Sequence, residues 1–159
     1  MAQTSVRIPP QNLDAERALL GAIMLRPNAM YEIADAVTPQ SFYAAKHGMI
    51  FDAMLSLFQK GEPIDVITLS NKLKDNKQLE TIGGTAYLSE LVSAAPVASN
   101  AAFYADTVKD KSTRRNLIDA ASEIGEMGYD EEETVDTVVD EAQQKIFQIA
   151  NSSSTNKVV

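Results

Sequence analysis

The last third of this chain constrains its fold more than any other part. From Ser99 to Met127 no proline occurs and the apolar residues keep helical spacing, which predicts one helix about 40 Å long at ~1.5 Å per residue. Ser99 is a suitable cap for its start, and Gly128 closes it. Tyr129 to Glu133 form a short acidic turn, and a second long helix is expected from Thr134 to about Ala150. Two long helices with so short a connection must return antiparallel, as a helical hairpin. On the second helix Val135, Val139, Ala142, Ile146 and Ile149 step by 4, 3, 4 and 3 residues, the spacing of a coiled-coil seam. On the first, Leu117, Ala121 and Ile124 share a face, with Ile118 beside them. A hairpin uses one stripe of each helix against the other. Further apolar residues, here Ile118, Val138 and Phe147, must then meet the rest of the chain or another molecule, so self-association is expected.

The remainder is also helical in periodicity, but broken into short pieces by proline and glycine. Asn12 is placed to cap a first helix with the stripe Leu19, Leu20, Ile23 and Met24. Arg26-Pro27-Asn28 breaks it and opens a second, running to about Val37. Pro39 allows a single turn from Gln40 to Tyr43. A longer helix covers about Lys46 to Lys60, with Ile50, Phe51, Met54, Leu55 and Phe58 turned inward. Asp65 caps the next, whose Val66, Leu69 and Leu73 share a face. Gly83-Gly84 precede a helix carrying Tyr87, Leu88, Leu91 and Val92, which stops at Pro96. The reading is thus an all-α protein: residues 1–8 as a flexible start, 9–98 as a compact multi-helix head, 99–150 as a long antiparallel hairpin, and the polar 151–159 as the start of a linker.

Chemistry is scarce. No cysteine occurs and the only histidine is His47, so thiolate chemistry and multi-histidine metal sites are excluded. None of the seven glycines is followed by lysine, so the phosphate loop of an ATPase is absent. The acidic run Asp130 to Glu133 lacks the alternate ligands and central glycine of a calcium loop, and suits the positive end of the following helix dipole. Lys109, Lys111, Arg114 and Arg115 are interleaved with Asp106, Asp110 and Asp119 at ion-pairing distance along a helix. With a net charge of −8, the chain is expected to bind protein rather than nucleic acid. No segment has the length and apolarity of a membrane span or a signal peptide, which suggests the cytoplasm. His47 reads as a structural or surface residue, and Tyr87 as a core or rim aromatic. These residues fit a non-catalytic module, with a helical dimeric adaptor as one alternative and a small enzyme or a helix-turn-helix protein as weaker ones.

An ordered set of strings adds a resemblance. Ile8-Pro9-Pro10-Gln11-Asn12-Leu13-Asp14-Ala15-Glu16 with Leu20-Gly21 comes first, then Phe42-Tyr43 with His47 and Ile50-Phe51. Gly61-Glu62-Pro63-Ile64-Asp65-Val66-Ile67-Thr68-Leu69 follows, then Leu79, Ile82-Gly83-Gly84 and Tyr87-Leu88. Tyr104-Ala105, Gly128-Tyr129 and Asp140-Glu141-Ala142 complete it. The set resembles the N-terminal domain of bacterial DnaB-type replicative DNA helicases, from about Ile8 to Ala150.

The resemblance implies a head and hairpin whose hairpins pair, with three such dimers forming the collar of a hexameric ring. It implies docking of the C-terminal domain of primase, with contacts at positions matching Tyr87, Ile118 and Ile124. Ile124 also suits the opposite helix of the hairpin. For self-association, Val139, Ala142, Ile146 and Phe147 are the candidates. It further implies that unwinding belongs to a motor domain beyond the linker, with its ATP and magnesium, and that this segment carries no cofactor.

Overall fold

A computed structural model describes residues 7–96 and 100–154. All regular structure among them is helical, and none of these helices is long and apolar enough to cross a membrane. The order is α1 (Leu13–Leu25), α2 (Met30–Ile33), α3 (Ala45–Gln59), α4 (Val66–Asp75), α5 (Leu79–Ile82), α6 (Gly84–Ala94), α7 (Ala101–Tyr129) and α8 (Val135–Ser154). Short 3-10 turns at Pro27–Ala29 and Pro39–Ser41 each begin on a proline. The chain divides into two compact bodies, one of residues 12–110 and one of residues 1–11 with 111–159.

Local signals start the helices of the first body where expected. The Asn12 side chain accepts from the Ala15 N–H at 2.9 Å, taking up one of the donors that a helix start leaves open. Asp65 and Thr68 form a reciprocal capping box at α4, with bonds of 2.8 and 3.0 Å. Gly83 ends α5 in the left-handed region, at φ 108°, where any side chain would be strained. The second helix is shorter than its periodicity suggests. It stops at Ile33 rather than Val37, and the chain turns through residues 34–36 toward the next proline.

Every one of α1 to α6 supplies this body's core. Leu19, Leu20 and Ile23 of α1 meet Met30 and Ile33 of α2 and Ile50, Phe51 and Met54 of α3. Leu69, Leu73, Ile82, Leu88 and Leu91 complete it, together with Ala101, Ala105 and Val108 from the start of α7. Gly21 allows the closest approach. A Cβ there would lie 2.4 Å from the Leu91 carbonyl oxygen and 2.7 Å from the Ala95 Cβ, so α1 and α6 pack backbone to backbone.

In the second body α8 runs antiparallel to α7. Asn116, Ala120 and Glu123 line one groove with Lys145 and Ile149, and Met127 lines another with Val138. Lys145 pairs with Glu123 at 2.6 Å, and the Arg115 guanidinium donates to the Pro10 carbonyl at 2.7 Å. Ser99 and residues 155–159, given roles above as a cap and as part of a linker, fall outside the described residues. Helix α8 continues to Ser154, past the Ala150 end that the sequence suggests.

Candidate functional site

Two of the three buried polar or charged side chains recorded in the core lie in one cluster. Glu16 on α1 is 2% exposed and His47 on α3 is not exposed at all. Both sit at the head of an apolar stripe: Glu16 precedes Leu19, Leu20 and Ile23 at helical spacing, and His47 precedes Ile50, Phe51 and Met54. Each is carried into the interior by the residues that follow it.

Burial of a carboxylate is tolerable only when it is fully hydrogen-bonded. Glu16 Oε2 accepts from the Tyr43 N–H at 2.7 Å, and Oε1 from the Ala44 N–H at 3.3 Å and from His47 Nδ1 at 2.8 Å. Ala44 precedes α3 and has no capping side chain. The carboxylate from α1 thus fills that role from a distance, at the end of the helix that favours negative charge. An ionised carboxylate accepts only, so His47 Nδ1 carries the proton. The other ring nitrogen, Nε2, lies 2.6 Å from the Tyr87 hydroxyl. The chain of bonds runs Tyr87 to His47 to Glu16 and joins α6, α3 and α1.

Tyr87 is half-buried at the outer end of this relay. The Lys46 ammonium sits 4.0 Å from its ring centroid, a cation–π distance. His47 lies near-parallel to the ring, with centroids 6.0 Å apart and planes at 13°. A Cβ at Gly83 would approach the Tyr87 Cβ to 3.0 Å, so that glycine gives the tyrosine room. Burial pushes the Tyr87 phenol above its ordinary value near 10, against the opposing pull of the Arg17 guanidinium. Glu90 and Glu16 push it further up. The hydroxyl therefore stays protonated and able to donate across the neutral range. Tyr87 presents part of its ring outward while its polar end is engaged within.

The remaining candidates lie on the hairpin, and spacing separates them. Ile118 and Ile124 are six residues apart on α7, about 120° around the helix. Ile118 is 54% exposed, whereas Ile124 is half-buried on the side turned to α8. On α8 the half-buried set is Val138, Ala142, Lys145 and Ile149. Val135, Val139 and Ile146, read above as the seam within the hairpin, are 76%, 50% and 54% exposed. Phe147 is 69% exposed, and Ala142 lies at the border of the two faces. The seam is thus rotated toward Val138 and Lys145. Because the helices are antiparallel, Leu117 and Ala121 emerge on the same side as Val135, Val139 and Ile146. That side is an uncovered aliphatic face.

Residues 8–110 match the family model for the DnaB-like helicase N terminal domain. The chain belongs to that family. Among its relatives, the replicative DNA helicase DnaB of Geobacillus stearothermophilus is 44% identical over 146 residues, which cover 92% of this chain and 32% of that protein. This chain spans about a third of the length of such full helicases. Among solved structures, the N-terminal domain of DnaB helicase from Mycobacterium tuberculosis superposes with a TM-score of 0.84 at 37% identity, covering 89% of this chain and 99% of that one. A DnaB-like replicative helicase described with its interactions with primase gives 0.73 at 27% identity, covering 87% and 31%. The all-helical fold is that of the DnaB N-terminal domain. The relay beneath Tyr87 is the part of this domain that reading by residue type missed. Its signal was a charged residue and a histidine each occupying the first place of an apolar stripe.

Proposed function

We propose that this chain is the assembly and primase-docking module of a replicative DNA helicase, with no catalysis and no cofactor of its own. In that reading ATP and magnesium serve a motor elsewhere in the longer protein, in the bacterial cytoplasm. Hairpins pair in twos, and three pairs build the collar of a hexamer. Primase docks through its C-terminal domain. The observation that carries the assembly half is the aliphatic side of the hairpin. Leu117, Val135, Val139 and Ile146 on that side, and Phe147 next to it, are each about half exposed or more, and a set of this size on one small body is characteristic of an interaction surface. Docking rests on the similarity to helicases described with primase, and on Tyr87, an aromatic residue of the kind that dominates interfaces. Ile118 and Ile124 are the proposed hairpin contacts.

The assembly half is tested by sedimentation of the wild-type chain and of a Val139→Asp, Ile146→Asp variant. The wild type is expected to associate and the variant to sediment as a monomer. The thermal midpoint of the 12–110 body should stay nearly unchanged, since exposed substitutions typically cost within about 0.5 kcal/mol. A wild type that remains monomeric at high concentration, or a variant that associates equally well, would count against the hairpin face. Docking is tested by titrating the chain with the primase C-terminal domain, where Tyr87→Ala should weaken binding by about tenfold or more, ~1.4 kcal/mol.

A further inference from the structure

We propose that Glu16 and His47 are positioning residues for Tyr87. The relay fixes the ring in a single orientation by holding its hydroxyl inward, so a partner meets the ring and not the hydroxyl. The docking consequence rests on the proposed role of Tyr87, whereas the positioning itself does not.

Three observations carry this inference. The hydroxyl is 2.6 Å from a nitrogen of a fully buried imidazole, and that imidazole is bound at its other nitrogen by a carboxylate held by two backbone N–H groups. Each link is anchored by the next, and the last is anchored by main chain. Second, the Lys46 ammonium sits 4.0 Å from the ring centroid, so rotation about its bonds would break a cation–π contact as well as a hydrogen bond. Third, Gly83 presents no Cβ to Tyr87, where one would stand 3.0 Å from the tyrosine Cβ, so the side chain keeps this position without a clash. Ordering one side chain at an interface ordinarily weakens binding by roughly two- to tenfold. A tyrosine already held in place avoids that cost, which gives a reason for placing a buried, hydrogen-bonded carboxylate and imidazole beneath a surface aromatic.

The single histidine makes the test direct. In the wild-type chain, nitrogen-15 spectra of that ring are expected to show a proton on Nδ1 and a hydrogen bond at Nε2. A ring whose Nε2 shows no hydrogen bond overturns the proposal, and this measurement needs no variant. Tyr87→Phe, which removes only the hydroxyl, should weaken primase binding about three- to tenfold. His47→Leu should do the same, and the two together no more than either alone, whereas a merely structural histidine would add its loss to that of the tyrosine. His47→Gln, whose amide reaches toward the Nε2 position, should recover part of the affinity. If Tyr87→Ala binds primase as well as the wild type does, the docking reading fails. The ring signals then decide positioning alone: sharp and restricted in the wild type, averaged in His47→Leu. Identical ring signals in both proteins would overturn it.

Discussion

Replacing Glu16 by alanine should lower the unfolding free energy of the 12–110 body by about 3–5 kcal/mol, because buried donors left without an acceptor cost about 1–3 kcal/mol each. Three donors lose their acceptor at once: the Tyr43 and Ala44 N–H groups and the His47 ring. The His47 ring has no access to water, since that residue is not exposed at all, and a cavity remains where the side chain stood. Against a total stability of ~5–15 kcal/mol for a domain, the loss is a large share. At about 4–8 °C per kcal/mol for a body of this size, the midpoint falls by roughly 12–40 °C. Glu16→Gln should fall between, at about 2 kcal/mol, because the amide keeps one acceptor but turns a donor toward other donors. Urea denaturation followed by tyrosine fluorescence is suited to the measurement. Four of the five tyrosines, Tyr31, Tyr43, Tyr87 and Tyr104, lie in this body, and only Tyr129 lies outside it.

The second large effect is expected at Gly21. Valine at that position should cost about 3 kcal/mol, the upper part of the range for overpacking. Its Cβ would stand 2.4 Å from a main-chain oxygen of α6, and a backbone atom cannot turn aside as a flexible side chain can. Helices α1 and α6 would have to separate, loosening Leu19, Leu20, Leu88 and Leu91 together. Alanine makes the same Cβ contact but gains ~1 kcal/mol of helix propensity over glycine, so Gly21→Ala should lose less, about 1–2 kcal/mol. The same denaturation curves read both. Equal stability of Gly21→Val and the wild type would show that the close approach of α1 and α6 is not needed for folding.

How much of this was legible depends on the range of each interaction. Asn12, Asp65 and the proline turns act on groups within three residues, so residue type and order suffice to place them. The hairpin was legible because no proline interrupts α7 and only a short turn separates it from α8. Its seam was misplaced for a physical reason. Apolar spacing marks every face that becomes buried, whether against the same chain or another molecule, and it does not tell the two apart. Lys145 was overlooked on the inner face because its charge conceals a stem that can cover apolar surface while the ammonium reaches Glu123. The relay lay furthest from local reading. Glu16, His47 and Tyr87 are separated by 31 and 40 residues, and only the fold brings them together. A charged residue within an apolar stripe does announce that a buried partner is required, but two such stripes had to be compared before Glu16 and His47 could be paired.

A calorimetric titration of this chain with the C-terminal domain of its cognate primase tests the docking role most directly, with sedimentation of the same sample to establish its oligomeric state. Binding at micromolar concentration or tighter, about −8 kcal/mol or better, with a loss of about tenfold or more in Tyr87→Ala, is the predicted result. A chain that associates through its hairpin yet binds no primase at these concentrations would contradict it.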